Sequence, residues 1–449
     1  FLDRAPLLCF SSTTAGVRQH VGSEFYAPIT KLTGDLTADN VTELLGEGIH
    51  AATSGFTGPV YFSVTEAEQI RALPISDEEA AAVIDGIKVR KPADAADDIS
   101  ATAADVAAAK RLVLVVGQGA EHAGALDELD RLIDELGAPV AVTPEAVGLI
   151  SARHPLYAGM TGWHDAALRK RIEAADLVVT IGLDGADVMV PYRELAKVIH
   201  IGCTPADLRS YQPVARVVQG DLRALLTSLA EGGRGEREWG PAEAGATRDA
   251  VDADVAISDA HDDADGIAPQ AVLTEMRDVT PPETIFTCDV GAHKIVAGTV
   301  WKSYQPGTFL MSNGFGTMGY GLPAAMGAKM ARPDVPVVSV VGDGGLMMYL
   351  GELATWARLN LPLVLVVMVD NDLTQVKRRQ EKNGLPTGST TFQRIDFCAI
   401  ARALGINAIR TDNPLDYRAA VEKAVGANEP TLIEAVLDAK EYRRIPGWK

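Results

Sequence analysis

The sequence predicts an α/β fold of doubly wound parallel sheets, on three observations. Short apolar runs rich in β-branched residues recur along the chain, bounded by Gly, Pro or polar residues, as buried parallel strands are. Segments with helical spacing separate these runs. Several runs end directly in glycines or aspartates, the strand-to-helix turn of a βα unit.

Composition divides the 449 residues into three blocks, within the two or three domains that this length suggests. In block 1–75, PLLCFSS reads as a short strand, 40–54 as a helical stretch and GPVYFSV at 58–64 as a strong strand. The acidic, Ala-rich stretch 76–101 reads as a linker with a helical piece. Block 102–230 opens on RLVLVVGQGA, a strand ending in glycines, and continues with an amphipathic helix over 124–136. PVAVT, DLVVTIG and KVIHIG follow as short strands between helical segments. Over 231–266 the periodicity is lost and six aspartates fall among residues 252–265, so an exposed acidic linker without helix or strand is expected. Block 267–449 resumes with a helix over 269–278, the strand TIFTCD and the Gly-rich SNGFGTMGYGLPAAMGAKMA.

Composition also excludes some roles. A net charge of −19 argues against nucleic acid as a partner and suits solubility, in a salty cytoplasm above all. No apolar run approaches the roughly 18 residues of a membrane span, so no membrane association is expected. Cys9, Cys203, Cys288 and Cys398 lack paired spacing, which indicates neither a disulfide framework nor a zinc site. A reducing, cytoplasmic setting follows as an expectation, and the start at Phe1 shows no signal-peptide pattern.

The chemistry gathers in the third block. The run 335–341 reads as a strand, 349–359 as a helix and 362–370 as a second strand. This βαβ unit makes the strands parallel neighbours that finish at one sheet edge, where ligands of open α/β sheets bind. The first strand delivers Asp343 within GDGG, and the second delivers VDND at 369–372. Gly344 and Gly345 stand at a helix start, where backbone amides approach an anion closely. An aspartate beside phosphate needs a bridging cation, and hard oxygen donors with one or two carboxylates suit Mg²⁺. The residues alone therefore point to a Mg²⁺-diphosphate site. Asp370 or Asn371 would add a side chain and the loop beyond a carbonyl. GDGG by itself reads more readily as a tight strand-to-helix turn, and the second acidic cluster one βα crossover later is what favours the site.

These motifs resemble those of thiamine diphosphate-dependent enzymes, which carry GDG and, further on, an Asn-containing element. Here Asp343 and Asp370 stand 27 positions apart. GFGTMGYGLPAAMGAK is similar to the pyrimidine-clasping stretch of the acetolactate synthase and pyruvate oxidase branch, and DVGAHK at 289–294 to its diphosphate-end segment. The resemblance covers most of the chain. It implies that the third block is a pyrophosphate-binding domain, the second a central domain and the first the last part of a pyrimidine-binding domain. The fold is then α/β with three doubly wound parallel-sheet domains, the first one incomplete in this chain.

Carried over residue by residue, the resemblance implies metal ligation by Asp343, Asp370 and the carbonyl of Asp372. It implies cofactor binding by Gly291, Ala292, His293, Gly316, Thr317, Met318, Gly342, Asp343, Gly344, Gly345 and Asn371. Met318 would wedge the cofactor into a bent shape, although most methionines are core filler. The carbonyl of Gly316 and the amide of Met318 would hold the pyrimidine edge. Most members have Asn where Asp370 stands. The extra charge should tighten Mg²⁺ and repel diphosphate, so a nearby cation is expected, with His293 the candidate.

The activity implied is thiamine diphosphate- and Mg²⁺-dependent decarboxylation of a 2-keto acid, pyruvate favoured, with carboligation to a second keto acid. Simple 2-keto acid decarboxylation is the alternative. A cofactor-binding subunit or fragment without activity of its own is an alternative of another class. Gln375 and Val376 in LTQVKRRQEKNG are the acceptor-side candidates, and Arg379 stands where biosynthetic acetolactate synthases carry Trp. Lys377, Arg378 and Arg379 read either as a carboxylate attractor or as a solvated basic face. FAD is possible and not expected, since GMTGWHDA is faintly similar to an adenine-side loop but GLDGADVM lacks the Arg-rich element that should follow. The family's activating glutamate is expected upstream of Phe1 in a longer native chain, because Glu24 and Glu43 lack the matching context. A homodimer or homotetramer with the active site between subunits is also implied.

Overall fold

The computed structural model describes residues 5–13, 24–54, 57–72, 76, 78, 81, 96–162, 165–183, 192, 195–203, 213–259, 261–314 and 316–444. Three sheets organise them. The first holds β1 (Leu8–Thr13), β2 (Leu32–Leu36) and β3 (Val60–Thr65) in the order β1-β3-β2, with the helix Val41–Thr53 packed on it. The second holds β4 (Leu112–Val116), β5 (Val140–Val142), β6 (Tyr157–Met160), β7 (Leu177–Ile181), β8 (Val198–Gly202) and β9 (Val214–Gln219). Their order is β6-β5-β4-β7-β8-β9.

The third sheet holds β10 (Ile285–Cys288), β11 (Phe309–Met311), β12 (Val337–Gly342), β13 (Val364–Val369), β14 (Asn407–Thr411) and β15 (Thr431–Val436). They lie in the order β11-β10-β12-β13-β15-β14. Strand pairing within all three sheets is parallel. Parallel strands covered on both faces bury every residue, and β4, β7 and β13 do so along their whole length. Continuous apolar runs, rather than alternation, mark them in the sequence for that reason. Strand order reverses between β4 and β7 in the second sheet and between β10 and β12 in the third, which puts a switch point at each.

The stretch 231–266, expected to lack regular structure, carries the helix Pro241–Asp254. Its buried face is Ala244, Thr247 and Val251, residues too small and too few to show as an apolar stripe. It packs on β6 and on the helix Ala166–Glu173, where Arg171 Nε donates to Thr247 Oγ1 at 3.1 Å. Helix Ala96–Ala108 likewise begins inside the expected linker 76–101. Most of that linker, and much of the stretch read for FAD at 163–164 and 184–191, lies outside the described residues. One hydrophobic core runs from the second sheet into the third, joining Leu114 and Val179 to Val366 and Ile433. Among the described residues, no helix is long and apolar enough to cross a membrane.

Candidate functional site

Strands β12 and β13 end side by side, with Gly342 opposite Met368. Asp343 opens a short helix, Asp343–Met348, which breaks at 349–351 and resumes as Glu352–Leu359. The helix expected to start at 349 therefore starts six residues earlier, because glycines let the first turn sit against its neighbours. A Cβ on Gly344 would lie 2.6 Å from Leu373 Cδ2, and one on Gly345 would lie 3.0 Å from Asp289 Oδ2. After β13, Asn371 takes the left-handed conformation at φ 59°, which Asn tolerates better than most residues. That turn aims amides back at the first strand. Asp343 Oδ2 accepts from Asp370 N at 3.1 Å and Asn371 N at 2.7 Å, while Oδ1 accepts from Gly344 N at 2.7 Å.

The two carboxylates at this junction both have raised pKa values. Burial pushes Asp343 up to about 6, against the pull of its three amide donors. Burial and the Asp343 charge push Asp370 up to about 7, although Thr374 Oγ1 donates to it at 2.5 Å. Ionising both together calls for a cation between them. Asp372 behaves differently. Burial alone would raise it, but hydrogen bonds from Lys377, Thr390 and Thr391 outweigh burial and lower it. Its carboxylate is turned to Lys377 and to Thr391. Lys377 thus serves Asp372 and does not stand free to draw a substrate carboxylate.

A second wall comes from β10. Gly291 leads into the helix Ala292–Val300, whose first turn holds His293, fully enclosed against the Gly291 and Gly342 main chain. Burial lowers His293 to about 4, despite the opposing Asp289 carboxylate, so its imidazole is neutral at pH 7. The expected cation is therefore absent at this position. Its Nε2 is buried without a hydrogen-bond partner.

The third wall is the glycine-rich loop after β11, with Gly316 and Gly319 at positive φ. The fully buried Asp289 carboxylate fastens it, accepting from Gly319 N at 3.0 Å and Tyr320 N at 3.3 Å. The same carboxylate takes Val290 N and Tyr349 Oη, both at 2.8 Å. This clamp was not legible in the sequence, where only the phrase DVGAHK hinted that Asp289 mattered.

These walls enclose a cavity of about 160 Å³. It gathers Gly291, Ala292, His293, Gly316, Met318 and Gly342 from the expected set, together with Asp343, Gly344, Gly345, Asp370, Asp372, Gln375 and Val376. Thr317 and Asn371 do not line it. Thr317 is exposed and its amide donates to Ser312 Oγ at 3.0 Å, whereas Asn371 acts through its amide on Asp343. Sequence reasoning missed Met368, Leu373, Thr374, Leu437 and Tyr442. Leu373 and Thr374 adjoin VDND and could have been found there, but Tyr442 reaches the cavity from the far end of the chain without a motif.

Residues 289–435 match the family model described as the thiamine pyrophosphate enzyme C-terminal TPP binding domain, and residues 99–229 match the central domain of the same enzymes. The chain belongs to the thiamine pyrophosphate enzymes. It is 31% identical to a probable acetolactate synthase large subunit of Methanococcus aeolicus, over 74% of this chain and 59% of that protein. Against the probable acetolactate synthase large subunit of Methanocaldococcus jannaschii it is 29% identical, over 93% of this chain and 73% of the relative. The large subunit of acetolactate synthase isozyme 1 of Escherichia coli is 28% identical, over 99% and 80%.

Thiamine diphosphate suits the site on the chemistry of its donors. The buried and unpartnered His293 Nε2 belongs to a residue that lines the cavity together with Gly344 and Gly345. Asp343 and Asp370 add a carboxylate pair that asks for a divalent cation, the charge that a diphosphate also needs.

Proposed function

We propose that this chain is the catalytic part of an acetolactate synthase-like enzyme, which decarboxylates a 2-keto acid, pyruvate favoured, and joins the remainder to a second keto acid. The observation that carries this reading is the meeting of GDGG, VDND and GTMG on one cavity. In this reading Asp343, Asp370 and the Asp372 carbonyl would hold Mg²⁺, and the Gly345 amide would receive the diphosphate while the Gly344 amide keeps its bond to Asp343 Oδ1. When bound, thiamine diphosphate supplies the nucleophilic carbon and the electron sink for loss of carbon dioxide.

The chain's own residues do the rest. Met318 sits on the loop that Asp289 fixes and would support the cofactor there. Met368, Leu373, Val376, Leu437 and Tyr442 keep the cavity apolar, which favours decarboxylation of a carboxylate because charge disperses as the reaction proceeds. Gln375 and Val376 face the acceptor. No glutamate lines the cavity among the described residues, so the acid that activates the cofactor comes from elsewhere in the assembly. A second copy fits that need. Met347 and Met348, beside the metal turn, and Val376 are 43%, 62% and 49% exposed, an apolar rim for a neighbour to cover.

The test supplies pyruvate, thiamine diphosphate and Mg²⁺ to the purified protein and identifies the product. Acetolactate supports the reading, and acetaldehyde alone replaces it with simple decarboxylation. Mg²⁺-dependent cofactor binding without release of carbon dioxide leaves a binding subunit.

A further inference from the structure

The segment that carries Leu437 and Tyr442 to the cofactor cavity also brings together three side chains of metal-ligand type. His261 comes from the loop after the helix Pro241–Asp254, and Asp438 and Glu441 follow β15. The imidazole is 7% exposed, the Asp438 carboxylate 4% and the Glu441 carboxylate 0%. His261 Nδ1 lies 3.3 Å from Asp438 Oδ2 and 3.6 Å from Glu441 Oε1. Ligands at zinc distance stand roughly 3.4 Å apart around a tetrahedron, so these separations suit atoms sharing one ion.

The other ring nitrogen supports this. His261 Nε2 is buried, makes no hydrogen bond of normal geometry and faces Asp263 Oδ1 at 3.3 Å. A ligating histidine commonly turns its second nitrogen to a carboxylate, which fixes its tautomer.

We propose that His261, Asp438 and Glu441 form a second metal site, separate in its ligands from the Asp343 pair, for a divalent transition ion of the zinc type. Imidazole with carboxylates is a donor set for such ions. Asp263 stands behind the imidazole. The ion cross-links the loop at 261–263 to the segment at 437–442, and so fixes the two residues of that segment that line the cofactor cavity. Ser258 N, which donates to Glu441 Oε2 at 3.3 Å, and Asp438 N, which donates to Ile267 O at 3.0 Å, hold the same two stretches together around it.

Cobalt tests this, because its visible absorption reports an ion held by protein ligands. The full chain carrying Asp343→Asn is titrated with Co²⁺, alone and with His261→Ala, Glu441→Gln or Asp263→Asn added. One bound equivalent is expected in the parent. His261→Ala and Glu441→Gln should weaken it roughly 100-fold, and Asp263→Asn about tenfold with the spectrum preserved. Circular dichroism checks that each variant is folded; if His261→Ala is not, the other two decide. No Co²⁺ absorption in the parent, or unchanged affinity in Glu441→Gln and Asp263→Asn, overturns the proposal.

Discussion

The second and third sheets are both six-stranded, parallel and glycine-marked at their switch points, yet their glycines do opposite work. In the second sheet Gly119 N donates to Gly182 O at 2.9 Å, and a Cβ on Gly119 would lie 2.6 Å from that oxygen. Gly182 itself is at φ 61°. Two turns are sealed against each other, and neither 117–120 nor 182–183 carries an ionisable side chain. In the third sheet the glycines admit a buried imidazole and leave two carboxylates with raised pKa values facing a cavity. Topology offers the position in both cases. The side chains that follow the glycines decide whether it becomes packing or chemistry.

The largest effect that would test this contrast is at Asp343. Asp343→Ala should weaken Mg²⁺-dependent thiamine diphosphate binding about 100-fold or more, as isothermal calorimetry would show. Stability of the ligand-free protein should fall only modestly, since removing a buried carboxyl with a raised pKa offsets the loss of the acceptor for three amides. Binding within a few fold of the parent would place the cation elsewhere. Gly119→Ala should show the mirror image, a loss of about 2 kcal/mol in denaturant unfolding with cofactor affinity unchanged. If affinity fell and stability did not, the second sheet would have a part in the site.

A smaller effect separates the sheets by pH. Asp343 and Asp370 hold protons up to about 6 and about 7 in the folded chain, against an ordinary value near 4 when unfolded. Over that window the folded state binds more protons than the unfolded one, so stability of the ligand-free protein falls as pH rises from about 4 to about 7. Mg²⁺ should flatten the fall. Thermal melts at about pH 5 and about pH 7.5, with and without the ion, check this; a Tm that rises with pH would mean the pair is ionised throughout.

Much of the third sheet was legible because its signals are local. β13 is an unbroken apolar run and β12 is one apart from Ser339, and GDGG and VDND sit at their ends. What escaped was set by contacts distant in sequence. His293 has the sequence of a cation, but enclosure keeps it neutral. Lys377 looks like part of a basic face, yet it is committed to Asp372 five residues earlier. The helix Pro241–Asp254 buries only small residues, so no apolar period announced it. Asp289 works mostly through backbone amides, which have no residue identity to read, and its one side-chain donor, Tyr349, lies sixty residues on.

That last arrangement has a consequence for how the site can vary. Asp289 grips the main chain just past Met318 through Gly319 and Tyr320, and none of its bonds involves the Met318 side chain. Mount and tool are separate parts. A longer, shorter or branched residue at 318 would sit in the same socket, so the wall of the cavity at this point can be retuned without recasting the loop that carries it.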